Sequence, residues 1–128
     1  MPHFIVEYTN NIKTEAYIPE LLKKVNLILM ENADIFPKGG IRSRAIGLED
    51  YCIADGKEDD AFVHATFKMG AGRTEEQKKK VCNELFNMMC THFEGLFTDR
   101  YLALSMEIAE FSESGTYKKN NIHSRFSK

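Results

Sequence analysis

Pro2, Phe4, Val6 and Tyr8 fall on one side of an extended chain and His3, Ile5 and Glu7 on the other. This period of two predicts a half-buried strand at the very start of the sequence. Ile18, Leu21, Leu22, Val25, Ile28 and Leu29 then recur at helical spacing, with Pro19 tolerated because it falls in the first turn. That helix is expected to end near Asp34. Pro37, Gly39 and Gly40 make a turn into a second strand over Ile41–Leu48, with an extension around Tyr51–Ile53. The order repeats: Ala61–Met69 alternates as a third strand, and Gly70–Arg73 turns the chain. Thr74 with Gln77 three residues later reads as a capping box for a second helix, whose buried stripe is Val81, Leu85, Met88, Met89, His92 and Leu96. Leu102, Leu104, Met106 and Ile108 alternate along a fourth strand. The tail from Ser112 to Lys128 is polar and basic, with Tyr117, Ile122 and Phe126 as its apolar anchors. It is expected to lie on a neighbouring subunit or to stay partly mobile.

Strand, helix, strand twice over predicts an α+β fold in one domain across residues 1–128. Its duplicated β-α-β units span about 2–58 and 60–111, followed by the tail 112–128. Both helices should cover one face of a four-stranded sheet. Ile5, Phe62 and Ala103 point to the other face, so that face also asks for cover. A second copy of the chain would supply it, which makes an oligomer the expectation.

Composition narrows the partners. With 28% charged residues and a net charge of −2, no overall field recommends nucleic acid or an anionic membrane. Cys52, Cys82 and Cys90 are odd in number and lack CxxC spacing, as expected of reduced, packed thiols in a cytoplasmic protein. No apolar run approaches a membrane span or a secretory leader; only loss of Met1 is expected as processing. His3, His64, His92 and His123 show neither HxH nor HExxH spacing, so no metal site is expected. The Lys78–Lys80 run reads as a solvated helix face.

On residues alone, the candidate chemistry stays open. Pro2 opens a strand, an ordinary place for proline; freed of Met1, it would also carry a secondary amine. An α-amino group titrates near 7.7–8.0 as an order of magnitude, and burial or a neighbouring arginine would lower that and leave a free base near neutral pH. Arg42 and Arg44 share one face of the second strand, a pattern more often found on a solvated or salt-bridged edge than in a ligand site. Arg73 could be a plain loop charge.

Three groups of residues resolve the ambiguity by resemblance. Met1-Pro2 leads directly into His3-Phe4-Ile5-Val6-Glu7; Ile35-Phe36-Pro37 leads into Gly40-Ile41-Arg42-Ser43-Arg44; and Phe62-Val63-His64 leads into Gly70-Ala71-Gly72-Arg73. With Leu102-Ala103-Leu104-Ser105 and Lys119-Asn120-Asn121-Ile122-His123, they make the chain resemble, nearly end to end, the 5-carboxymethyl-2-hydroxymuconate isomerase family of the tautomerase superfamily. The resemblance implies a tautomerase-like trimer and a cofactor-free keto-enol isomerisation, in which 5-carboxymethyl-2-hydroxymuconate becomes its 2-oxo isomer during homoprotocatechuate degradation. It implies Pro2 as catalytic base and Arg42 and Arg73 as binders of the carboxylates of an enol di- or tricarboxylate, with Arg44 a further candidate. Lys13, where a post-strand arginine would be expected in the first unit, departs from the pattern, and no proline opens the second unit. Two other readings stay open: a tautomerase for another enol acid such as phenylpyruvate, and a non-catalytic ferredoxin-like small-molecule module.

Overall fold

The computed structural model describes residues 1–126; Ser127 and Lys128, the end of the expected tail and of the expected domain, lie outside the described residues. Four strands form the sheet: β1 (His3–Thr9), β2 (Arg42–Leu48), β3 (Ala61–Gly70) and β4 (Leu102–Phe111). Their order is β2-β1-β3-β4. The outer pairs β1–β2 and β3–β4 are parallel, and the central pair β1–β3 is antiparallel. Each parallel pair is bridged by helix, α1 (Ile18–Glu31) in the first half and α2 (Glu75–His92) in the second. The expected α+β arrangement, with both helices on one face, is what the chain adopts.

Alternation sorts the strands as expected. Phe4, Val6 and Tyr8 of β1 and Ala61, Val63, Ala65, Phe67 and Met69 of β3 are buried under the helices, which contribute Leu21, Val25 and Leu29 from α1 and Val81, Leu85 and Met89 from α2. Each such large side chain contributes about 1.5–3 kcal/mol through burial. The capping box forms: the Thr74 hydroxyl accepts from the Gln77 N–H at 3.1 Å, and the Thr74 N–H donates to Gln77 Oε1 at 3.0 Å. His92 is half-buried and hydrogen-bonded, its Nε2 2.7 Å from the Ala16 carbonyl and its Nδ1 3.0 Å from Lys24 Nζ. Among the described residues, no helix is long and apolar enough to cross a membrane.

Several expectations are corrected. Helix α1 stops at Glu31, three residues early, because the buried Asn32 turns its side chain back to the Ile28 carbonyl at 2.8 Å and accepts from Lys80 at 2.7 Å. Tyr51–Ile53 is not a strand. The second helix breaks at the buried Phe93, so Leu96 belongs to a separate helix, α3 (Glu94–Asp99). Only Cys82 is buried; Cys52 and Cys90 are exposed.

The tail folds back on its own chain. The Asn120 side chain donates to the Gly39 carbonyl at 3.0 Å, and a short 3-10 helix, Ile122–Arg125, packs against Lys38–Gly40. The contact needs glycine: a Cβ on Gly39 would stand 2.6 Å from His123 Nδ1 and 2.7 Å from the His123 backbone. We predict that Gly39→Ala lifts the tail while leaving the sheet intact. Overpacking of this kind costs about 1–3 kcal/mol. Tryptic cleavage at Lys118 and Lys119 should therefore accelerate about fivefold or more with an unchanged circular dichroism spectrum. Unchanged cleavage would show that the tail does not depend on this contact.

Candidate active site

Because β1 and β3 run antiparallel, one end of the sheet gathers the start of β1, the start of β2 and the ends of β3 and β4. Pro2 is buried there, and its carbonyl accepts from the Arg42 N–H at 3.0 Å. Met1 lies over Gly40, where an added Cβ would meet Met1 atoms at 3.3 Å. The amine that begins the chain is held below its ordinary value first by burial, then by the positive charges of Lys118 and Arg73; Glu113 opposes them, and Arg42 lowers it further.

Arg73 follows Gly72, whose φ of +112° is a conformation that glycine adopts without strain. Its guanidinium stacks over the buried Phe36 ring at 4.7 Å, and donates to the Gly70 carbonyl at 2.8 Å and the Ile35 carbonyl at 3.0 Å. Phe36 in turn packs on Phe67, and Phe67 on Phe4, with ring centroids 5.6 and 6.1 Å apart. A core aromatic stack thus fixes this cation. Burial lowers its pKa while Glu113 and Glu110 raise it; a guanidinium stays charged throughout. Its Nε is buried with no hydrogen-bond partner among the described residues. Arg42 is likewise pinned to backbone, donating to the Gly39 and Ile41 carbonyls at 2.9 and 3.1 Å. Among the described residues, neither arginine has a carboxylate within ion-pair distance.

Of the residues singled out in the sequence, Pro2, Arg42 and Arg73 therefore surround the start of the chain. Arg44 lies one step away: opposite Ile5 in the register, it hydrogen-bonds His3 Nδ1 at 3.1 Å. Lys13 caps the 3-10 turn after β1 and sits at the far end of the sheet. Sequence reading missed Lys118 and Glu113, which reach the amine only because the tail turns back, and Lys68, which meets His3 only across the β1–β3 register. No local spacing encodes either.

A larger cavity, about 670 Å³, opens at the opposite end among Glu58, Asp59, Asp60 and Phe97–Tyr101. Its carboxylates make it unsuited to an anionic ligand, and it holds none of the groups around the amine. The cationic end is the candidate site, able to hold carboxylates next to an amine whose proton affinity is lowered.

Comparison with known proteins shows the family. The profile of the family described as 5-carboxymethyl-2-hydroxymuconate isomerase matches residues 2–126. A protein of Escherichia coli named 5-carboxymethyl-2-hydroxymuconate Delta-isomerase is 46% identical over 126 residues, covering 98% of this chain and 99% of its own. The crystal structure of a 5-carboxymethyl-2-hydroxymuconate isomerase from Deinococcus radiodurans R1 superposes with a TM-score of 0.95 at 53% identity, covering 99% of this chain and 95% of that one. The macrophage migration inhibitory factor from Trichinella spiralis, 13% identical, covers 91% of this chain and 96% of its own with a TM-score of 0.62. At that identity the likeness concerns the fold alone, the expected tautomerase-like one.

The electrostatic account of the amine is directly testable. Lys118→Met removes a cation that lowers its pKa and should raise it; Glu113→Gln removes the opposing carboxylate and should lower it further. Titration of the terminal nitrogen by 15N NMR reads both. If neither variant moves it, these groups do not set the field at the amine.

Proposed function

We propose, for a chain that belongs to the 5-carboxymethyl-2-hydroxymuconate isomerase family, that it converts 5-carboxymethyl-2-hydroxymuconate to the 2-oxo isomer with the amine of Pro2 carrying the proton. The supporting observation is the start of the chain, where Pro2 is buried and the half-buried terminal amine beside it is depressed by desolvation and by Lys118, Arg73 and Arg42. Removal of Met1 transfers that amine to Pro2, one residue deeper in the same surroundings. The free amine takes the proton from the 2-hydroxyl. Electrons from that O–H bond form the C2 carbonyl, the C2–C3 double bond moves to C3–C4, and the C4–C5 pair takes a proton at C5 from the prolinium. Proton and electron counts close without any further reactant. Arg42 and Arg73 hold carboxylates, so the reacting atoms meet the amine in one orientation and the charge developing on the dienolate is stabilised. Of the wider readings, a non-catalytic module fits least: an isolated binding domain has no use for an amine of lowered proton affinity set among cations.

The chain acts as a homotrimer in the cytoplasm, where its free thiols suit a reducing compartment. Support for assembly comes from the sheet face that no helix covers. It carries Ile5 and Phe62, half-buried, with Ala103 and Ile46 exposed. The face is more polar than the sequence suggested, since His64 bonds Ser105 at 2.6 Å and Glu107 at 2.8 Å in its middle. Light scattering should give three times the 14.7 kDa chain mass; a monomer at micromolar concentration would exclude the assembly.

Activity should depend on the covalent state of residue 1. While Met1 is retained, the Pro2 nitrogen is a tertiary amide, its lone pair delocalised into the carbonyl and useless as a base. Mass spectrometry separates the two forms. Homogeneous Met1-retaining protein should turn over the dienol at least about 100-fold more slowly, the lower end for losing a general base. Equal turnover would eliminate the mechanism.

A further inference from the structure

Beside the amine lies a second cationic feature that the isomerisation step itself does not use. A cleft of about 220 Å³ is lined by His3, Arg44, Lys68, Phe111 and Thr116. Three strands build it: His3 is opposite Lys68 across the β1–β3 pair, Arg44 projects from the neighbouring β2, and Phe111 closes β4. The His3 ring meets Phe111 edge-on, with centroids 6.4 Å apart. The fourth wall is an ordered turn, in which Ser112 Oγ accepts from the Gly115 N–H at 3.0 Å and the Thr116 hydroxyl donates to the Ser112 carbonyl at 2.7 Å.

Its charge is uncompensated. Among the described residues neither Arg44 nor Lys68 has a carboxylate within 4.0 Å; Glu107 is engaged by His64 and Glu110 by Lys78. Arg44 instead donates to an imidazole nitrogen at 3.1 Å, so His3 serves as a neutral acceptor. His3 is held below its ordinary pKa by burial first and then by Arg44, the terminal amine, Arg42 and Lys68. Two cations facing one small cleft with an aromatic wall are complementary to a carboxylate on a short methylene arm.

The arithmetic of the substrate gives this cleft an occupant. 5-Carboxymethyl-2-hydroxymuconate bears a carboxylate at each end of its six-carbon chain and a third on the carboxymethyl arm, while the arginines next to the amine account for two. We propose that the cleft formed by His3, Arg44, Lys68 and Phe111 binds the third carboxylate, and thereby makes the chain selective for tricarboxylate over dicarboxylate enols. This rests on the isomerase reading for the identity of the substrate but not for the existence of the subsite. Lys68 and His3 are then specificity-determining residues, and Phe111 is the wall against which the methylene packs.

An unreactive probe separates the two. Propane-1,2,3-tricarboxylate, titrated into the form beginning at Pro2, should bind and raise the His3 pKa by about one unit, as a nearby anion does; Lys68→Met should weaken that binding about tenfold, and pentanedioate binding by clearly less. In turnover, Lys68→Met should lower kcat/KM for 5-carboxymethyl-2-hydroxymuconate at least about tenfold more than for 2-hydroxymuconate, the same skeleton without the arm. Lys79→Met, on the outer face of α2, serves as the control variant. A His3 pKa unmoved by saturating tricarboxylate, no binding at millimolar concentration, or equal losses for both anions would overturn the subsite. Failure of the wild-type chain to isomerise either dienol would instead sink the isomerase reading, and the His3 titration would still decide the subsite.

Discussion

The antiparallel pairing of β1 with β3 is the constraint on which the rest depends. Within each half the strands are parallel, so a strand-helix-strand unit alone puts the residue opening its first strand and the residue after it at opposite ends. Joining two such units antiparallel brings the opening of one beside the exit of the other. Arg73 leaves β3 where Pro2 enters β1, whereas Lys13, at the matching place in the first unit, is carried to the far end. The two halves share an architecture but present different ends, so a single chain supplies one proline and several cations at one edge without repeating either.

That edge concentrates charge that a net of −2 conceals. Arg42, Arg44, Lys68, Arg73 and Lys118 sit at one end of the sheet, and Glu58, Asp59, Asp60 and Asp99 line the cavity at the other. Crowding cations costs Coulomb energy, and the fold offsets it with dipoles more than with carboxylates. Backbone carbonyls of Ile35, Gly39, Ile41 and Gly70 accept from the two arginines, and the Phe36 ring supplies a π face worth about 0.5–2 kcal/mol. Dipoles steady a cation without neutralising it. The positive field at the amine survives for a carboxylate ligand to meet.

The sequence made the strands and helices legible because burial on one face of a sheet imposes alternation, and the Thr74–Gln77 capping box marks a helix start through purely local hydrogen bonds. Pro2, Arg42 and Arg73 were accessible through the motifs around them. What escaped shares one property: it depends on contacts distant in the chain. The early end of α1 requires Lys80 to reach Asn32. The return of the tail requires Gly39 to admit His123, and only that return carries Lys118 towards the amine. The cleft beside His3 requires the register of three strands. A helix stripe also continues in sequence through Phe93 although the backbone breaks there, because residues on both sides of the break still face the same core.

The same field that prepares a free base would oppose the reaction's intermediate, in which that base holds a proton. Cations lower the affinity of the amine for a proton in the empty site, so a fixed field of this kind would make the first transfer unfavourable by as much as it made the base available. In the proposed reaction the substrate resolves this conflict. Each carboxylate that settles on Arg42, Arg73 or the His3–Lys68 cleft neutralises part of the positive potential at the amine, and raises its proton affinity at the moment when the 2-hydroxyl proton must be accepted. Protonation of C5 and departure of the product restore the bare cations and return the amine to its depressed state. A tricarboxylate accomplishes this more completely than a dicarboxylate, so selectivity and acid–base poise follow from one distribution of charge, and binding energy spent on the remote carboxylates acts on the proton transfer itself.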